Sequence, residues 1–456
     1  MTDPVVDSLV GALGPRWVTT DPDVVLRHVV DWTGGVGAHR AVVVRPGDHD
    51  EVAAVVRICA AAGRPVVAQG GNTGLVWGSV PPEDGWVVLA TDRLDGIEDL
   101  DPDAGQVSVG AGVTLGALAD RLAGTGWRYG VDFGARDRAT IGGTIATNAG
   151  GTGVFRHGDT RRQLLGIRAV LGDGSTVGHL RAVDKDNTGY ALAALLAGSE
   201  GTLGVVTAAR LRLVPDPPER CTALVTAGSP AAAVRAAWAL RRRLPELEAC
   251  ELLGPGCAAL VAERTGRADP TAGAPAALVV ETAGEDAGAL TERLGAALGG
   301  QPGLGDGAVA VDAARRVELW SLRHGITEAL AATGPVLKLD VSLPASQLVA
   351  TWDAVTTRLA QEVPTARLFA FGHVCDHNLH LNVVGLDAAG AAEVDRWVLA
   401  LVARAGGSIS AEHGIGRRRR DQLHLVRTDD ELAAMAALQR AWDPAGILNP
   451  GALLAR

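Results

Sequence analysis

The sequence predicts an α+β chain of two or three domains. Three observations carry that reading. The first third alternates apolar, β-rich runs with helical patterns; a Pro-Asp-Pro-Pro stretch interrupts the chain at Pro215–Pro218; and beyond it short strands alternate with alanine-rich helices. At 456 residues the chain has room for more than one core.

The elements follow in order. Ala41-Val-Val-Val-Arg-Pro46 reads as a strand, Asp48 as the cap of a helix whose apolar face holds Val52, Val55, Val56 and Cys59, and Pro65-Val-Val-Ala68 as the next strand, which together make a βαβ unit. Its outgoing turn, Gln69-Gly-Gly-Asn-Thr-Gly74, has three glycines around Asn72 and Thr73. Such a turn permits positive φ and turns several backbone N–H groups toward one point, as a phosphate cradle does. A second cluster, Ile141–Gly151, is too rich in small residues for an ordinary helix or strand, so the expectation is a backbone lying against a large flat ligand. A third, Gly198–Gly204, leads into a strand at Val205-Val206-Thr207. Past Pro215–Pro218, strands at Thr222–Val225 and Ala277–Glu281 alternate with helices at Ala231–Arg243 and Gly288–Leu298, and Ile447–Gly451 closes a last helix.

Composition excludes several classes of function. A formal net charge of -10 argues against nucleic acid as the main partner. The one dense basic run, Arg417–Arg420, is too short to reverse that, and one reading of it is a solvated helix face. No stretch offers about 18 uninterrupted apolar residues, and Met1–Asp7 carries early acids without an apolar core, so the expected location is the cytoplasm. Five scattered cysteines without a CxxC pair indicate neither a disulfide framework nor a thiolate zinc site; at least four read as buried small hydrophobes. Neither G-x-G-x-x-G nor G-x-x-x-x-G-K-[ST] occurs, which disfavours a nicotinamide-type Rossmann domain and a P-loop.

Chemistry-bearing residues concentrate in three segments. Phe371–Val383 holds His373, His377 and His380 with Asn378 and Asn382; Ser408–Gly416 holds Glu412 and His413 between small residues. Two histidines and a carboxylate make a common open metal site. His373 and His380 are an odd number of positions apart, so both reach one ion only if the segment bends. In the third segment, Arg323 and Thr327 lie four apart on one helix face and, with Lys338, can form a carboxylate clamp; solvated or salt-bridged side chains explain the same spacing equally well.

Taken together, these motifs resemble the FAD-linked 2-hydroxyacid dehydrogenases of the vanillyl-alcohol-oxidase/para-cresol-methylhydroxylase superfamily, from about residue 20 to the end. The wording of Lys338–Pro344, His373–Val383 and Ser408–Gly416 is most similar to the D-2-hydroxyglutarate branch. The resemblance implies a two-subdomain FAD-binding fold of the vanillyl-alcohol-oxidase type with an inserted α+β substrate domain: 1–217 for FAD, 218–405 for substrate, and 406–456 returning to the FAD domain. It implies pyrophosphate on Gly70, Gly71, Asn72, Thr73 and Gly74, and flavin lined by Gly142, Gly143, Thr147, Asn148, Gly150 and Gly151. Ser199, Glu200, Gly201 and Val206 would also lie against FAD. His373, His380 and Glu412 match metal ligands, His413 the catalytic base, and Arg323, Thr327, Lys338, Asn378 and His413 substrate contacts.

The implied reaction is oxidation of a D-2-hydroxy acid to the 2-oxo acid, D-2-hydroxyglutarate first, with D-lactate or glycolate as rivals within the fold. A divalent ion, Zn2+ or Mn2+, acidifies the hydroxyl, His413 takes its proton, and the flavin takes the hydride. The implied partners are an electron-transfer flavoprotein or a quinone, and a homodimer is the expected assembly. A zinc hydrolase is the reading from another class; it leaves the three glycine clusters unused. This chain departs from the family pattern at Cys375 and His377, where glycine is usual, at Arg419 for lysine, and at His157 for tyrosine. Gly70–Gly74 lacks the histidine that bonds flavin in some relatives, so FAD is expected to be noncovalent.

Overall fold

The computed structural model describes residues 3–35 and 37–455. Their contacts fall into two compact units, one made of 1–151, 157–216 and 412–456, the other of 152–156 and 217–411. The chain passes from one to the other at Asp216/Pro217, within the proline-rich stretch.

The first unit has two main sheets. Its strands are β1 (Val18–Thr19), β2 (Ala41–Val44), β3 (Val66–Gln69), β4 (Trp86–Ala90), β5 (Ile97–Asp101), β6 (Gln106–Gly110), β7 (Trp127–Arg128), β8 (Leu164–Val170), β9 (Thr176–His179), β10 (Val205–Arg212) and β11 (Val214–Pro215). The order β1-β2-β4-β3 puts β4 between the two strands of the expected βαβ unit, parallel to both. The crossover helix, His49–Ala61, is capped by Asp48, which accepts from the Glu51 N–H, and buries Val52, Val55, Val56 and Cys59. Ile447–Asn449 extends the sheet beyond β3: the Val66 N–H donates to the Ile447 carbonyl and the Asn449 N–H to the Val66 carbonyl. The second sheet is antiparallel, in the order β5-β6-β10-β8-β9. A short β7/β11 pair completes the set.

Ile141–Thr147 corrects the expectation that its glycines exclude a helix. It forms a seven-residue helix, capped by Thr140 and ended by Asn148 in the left-handed region at φ 51. Tertiary packing outweighs the propensity cost: a Cβ on Gly142 would lie 2.7 Å from the Ala111 Cβ, so the glycine lets helix and sheet approach closely.

The basic run is corrected as well. Residues 417–420 are half-buried or buried rather than a solvated helix face. Arg417 donates to the Trp77 and Val80 carbonyls and to Asn449, and Arg420 to the Gly451 carbonyl. Their stems and charges staple the returning chain to its own unit.

The second unit is built on one antiparallel sheet of β12 (Glu219–Ala227), β13 (Leu247–Leu253), β14 (Ala276–Gly284), β15 (Leu304–Ala310), β16 (Val336–Ser342), β17 (Arg367–His373) and β18 (Asn378–Val384). The order is β15-β12-β14-β13-β17-β18-β16. Helices Cys257–Thr265, Ala313–His324 and Ile326–Ala331 cover one face through a core that includes Leu253, Val261, Val279, Leu322, Ile326, Leu330, Phe369 and Phe371. All five cysteines are buried and free. Among the described residues no helix is long and apolar enough to cross a membrane.

Candidate active site

The antiparallel register of the second unit assembles a polar row on one face of its sheet. Cross-strand partners share a face, as do residues two apart along a strand. Glu251 pairs with His373, Phe371 with His380, His380 with Asp340, Asn378 with Ser342 and Asn382 with Lys338. Glu251, Phe371, His373, Asn378, His380, Asp340 and Lys338 therefore all face the same way.

The bend required by the His373/His380 spacing is a hairpin. β17 ends at His373, Val374–Asp376 makes a 3-10 turn, His377 takes φ 68, and β18 returns. The two imidazole rings then lie 5.3 Å apart, edge to face. The left-handed φ at His377 gives a physical reason for glycine at this position, since non-glycine residues are strained there. Here the turn is clamped from helix Pro230–Arg243: the Trp238 indole donates to the Val374 carbonyl, Arg241 to that of Cys375, and His377 packs edge-on to Trp238.

Electrostatics sharpen the row. Glu251 is 0% exposed; its carboxylate accepts from Arg323 Nε at 2.7 Å and pairs with His373 Nδ1 at 2.7 Å. Burial alone would raise its pKa, but attraction to His373 and Arg323 and their hydrogen bonds prevail and bring it down to about 2. Arg323 comes from the last turn of helix Ala313–His324 and lies 4.6 Å from the Phe371 ring centroid. That helix stops at His324, but the Gly325 N–H still donates to the Ser321 carbonyl and the Ala329 N–H to that of Gly325, so Thr327 continues the same helical path. Lys338 is half-buried on β16. His380 Nδ1 lies 3.3 Å from Asp340 Oδ1, to which Asn378 Nδ2 donates at 2.7 Å.

Two groups in this row fit an anionic, hydroxylated ligand. Among the described residues the terminal Nη1 and Nη2 groups of Arg323 donate no hydrogen bond, although the residue is 8% exposed. Asn378 is 5% exposed and its Oδ1 has no hydrogen-bond partner among the described residues. Buried polar groups left open in this way suit a ligand that completes them.

Asp340 also holds the end of the unit, accepting the Ala411 N–H through Oδ2 at 3.1 Å. Glu412 and His413 are the next two residues of the chain, and each offers a ligand atom within 4.8 Å of the other's. Asp340 and His380 likewise offer two within that span. Each of these two pairs joins a nitrogen to a carboxylate donor, the types that hold a divalent cation such as zinc or manganese; His373 is not among the four residues.

In the first unit the three glycine clusters lie together. A Cβ on Gly71 would fall 1.7 Å from the Arg138 carbonyl oxygen and one on Gly70 2.1 Å from Thr140 Oγ1, so the 70–74 turn rests directly on the start of helix Ile141–Thr147. Asn72 has φ 52, and among the described residues no hydrogen bond is donated by the N–H groups of 70–74. An open row of amides fits a pyrophosphate. The Gly198 and Glu200 N–H groups donate to the Ile145 and Ala146 carbonyls, which ties the third cluster to the same helix. Val206 lies on the neighbouring β10.

Two residues expected to line FAD have their side chains engaged within the protein. Asn148 bonds Asp159 Oδ2 and the Arg161 N–H, and the Glu200 carboxylate accepts the Ile415 and Gly416 N–H groups at 2.7 Å each. His157 pairs with Arg128 across 3.0 Å.

Sequence reasoning missed Glu251 and Asp340. The signal was present: each is an acid with apolar residues on both sides in a strand, Cys250 and Leu252 around Glu251, Leu339 and Val341 around Asp340, and a carboxylate is buried in that way only with partners.

Comparison with known proteins decides the family. Residues 40–178 match the family described as FAD binding domain, and residues 216–453 match FAD linked oxidases, C-terminal domain. The chain belongs to the FAD-linked oxidase family. It is 36% identical over 447 residues to the mitochondrial D-2-hydroxyglutarate dehydrogenase of Bos taurus, covering 96% of this chain and 81% of that protein. With the D-2-hydroxyglutarate dehydrogenase of Xanthomonas citri pv. viticola it shares 35% over 462 residues, 99% of this chain and 97% of the relative. Among solved structures, substrate-bound p-cresol methylhydroxylase superposes with a TM-score of 0.76 at 18% identity, over 98% of this chain and 96% of that one. This FAD-linked oxidase therefore has the expected vanillyl-alcohol-oxidase type of fold and is an FAD-dependent oxidoreductase; the hydrolase reading has no support in these relationships.

Proposed function

We propose that this oxidoreductase converts a D-2-hydroxy acid, D-2-hydroxyglutarate above others, to the 2-oxo acid, using noncovalent FAD and a divalent cation. The observation that carries the reading is the polar row on the second unit's sheet, where the open end of a buried guanidinium and an orphaned amide oxygen share one face with His373, His380 and Asp340. The identity to D-2-hydroxyglutarate dehydrogenases across nearly the whole chain supports the choice of substrate.

In this reading Arg323 and Lys338 bind a substrate carboxylate, the guanidinium through its fork and the ammonium as a point charge, and Thr327 and Asn378 supply further polar contacts. That grip fixes which face of C2 is presented. An imidazole nitrogen of His413 takes the hydroxyl proton as general base. His373, His380 and Glu412 hold the cation. When bound, FAD supplies the hydride acceptor and the divalent ion a charge that makes a hydroxyl more acidic. Five free, buried cysteines suit a reducing cytoplasm, where an electron-transfer flavoprotein or a quinone would reoxidise the flavin.

His413→Ala tests the assignment of the base. The variant is expected to retain FAD and lose about 100- to 10,000-fold in the rate of flavin reduction by D-2-hydroxyglutarate with saturating cation. A near-normal rate would remove His413 from that role.

A further inference from the structure

We infer that Glu251 is a positioning residue: one buried carboxylate holds the metal-side His373 and the substrate-side Arg323 in a single fixed arrangement. The inference rests on the functional reading above and deepens it.

The geometry leaves Glu251 no freedom. Its two oxygens are used once each, Oε1 toward His373 Nδ1 and Oε2 toward Arg323 Nε, both at 2.7 Å. An oxygen that accepts at Nδ1 fixes the proton there and leaves Nε2 with the lone pair a cation needs. An oxygen that accepts at Nε leaves the outer edge of the guanidinium, Nη1 and Nη2, to meet a planar carboxylate two-pronged. The Phe371 ring lies beneath the guanidinium, and its own neighbour is the His380 ring, 5.2 Å away. The cross-strand pairing of Glu251 with His373 puts the carboxylate in place through the sheet backbone, before any ligand arrives.

A role limited to neutralising a buried arginine predicts something different. Glu251→Gln keeps the shape but offers one accepting oxygen and one donating nitrogen, so either His373 Nδ1–H or Arg323 Nε–H loses its acceptor. We expect Glu251→Gln, with FAD content unchanged, to bind Zn2+ about 10- to 100-fold more weakly in competition with a chromogenic chelator. We also expect KM for D-2-hydroxyglutarate to rise more than kcat falls.

A measurement on the wild-type protein needs no variant to fold. The 15N spectrum of its histidines, without added metal, should show the His373 proton on Nδ1; a His373 unprotonated at Nδ1 overturns the inference. Wild type that binds Zn2+ beside a Glu251→Gln protein that binds it equally well also overturns it, while leaving the functional reading intact. Wild type that takes up no Zn2+ overturns the metal reading itself, and the role of Glu251 with it.

Discussion

Both oxygens of the Glu200 carboxylate accept backbone N–H groups, from Ile415 and Gly416, just beyond His413 in the chain. Burial raises the pKa of this carboxyl above its ordinary value, against the lowering effect of those two bonds and of Arg417. An acid raised in the folded state binds more protons there than in the unfolded chain. Its contribution to stability is fully present below the unfolded value, about 4.3, and is lost as pH rises through the folded one. Glu200→Gln lacks this titration. The Tm of wild type minus that of Glu200→Gln should therefore fall as pH is raised from about 4, near the unfolded value, into the neutral range. Thermal unfolding of both proteins across that range checks it, and a wild-type Tm that rises with pH relative to that of the variant would contradict the burial argument.

At the scale of elements, the His373–His380 hairpin couples backbone strain to the position of two imidazoles. A valine at residue 377 has to adopt φ 68 with a branched Cβ, so His377→Val is expected to be about 1–2 kcal/mol less stable than His377→Gly in urea unfolding. Equal stability of the two would show that the turn relaxes. Periodic patterns made several elements legible in advance. The Asp48 cap and the 3.6-residue spacing of Val52, Val55, Val56 and Cys59 specify their helix locally. The linker proline run, helix Pro230–Arg243 and the strands Glu219–Ala227 and Ala276–Gly284 were equally plain. What was not legible depends on partners distant in sequence. Gly142 sits in a helix because Ala111 lies against it; Arg417 is internal because Trp77, Val80 and Asn449 offer it oxygens. For the site, the histidines and Arg323 stood out by residue type, whereas Glu251 acquires its meaning from register, which sets it opposite His373.

At the scale of the molecule, each unit has its own sheets and its own candidate groups: glycine-cradled open amides in the first, a charged row on a seven-stranded sheet in the second. The chain changes unit at the peptide bond joining Ala411, fixed to Asp340, to Glu412 and His413. The central claim is that these halves serve one reaction, the cation-assisted oxidation of a D-2-hydroxy acid. Anaerobic mixing of the FAD-loaded protein with matched D- and L-2-hydroxyglutarate, D-lactate and glycolate, before and after chelation, follows that reaction directly through loss of the oxidised flavin absorbance. The account predicts fastest bleaching by D-2-hydroxyglutarate, little by its L enantiomer, and a rate that falls on chelation and recovers with Zn2+ or Mn2+. Flavin that stays oxidised with every D acid, or that bleaches at the same rate with and without the cation, would contradict it.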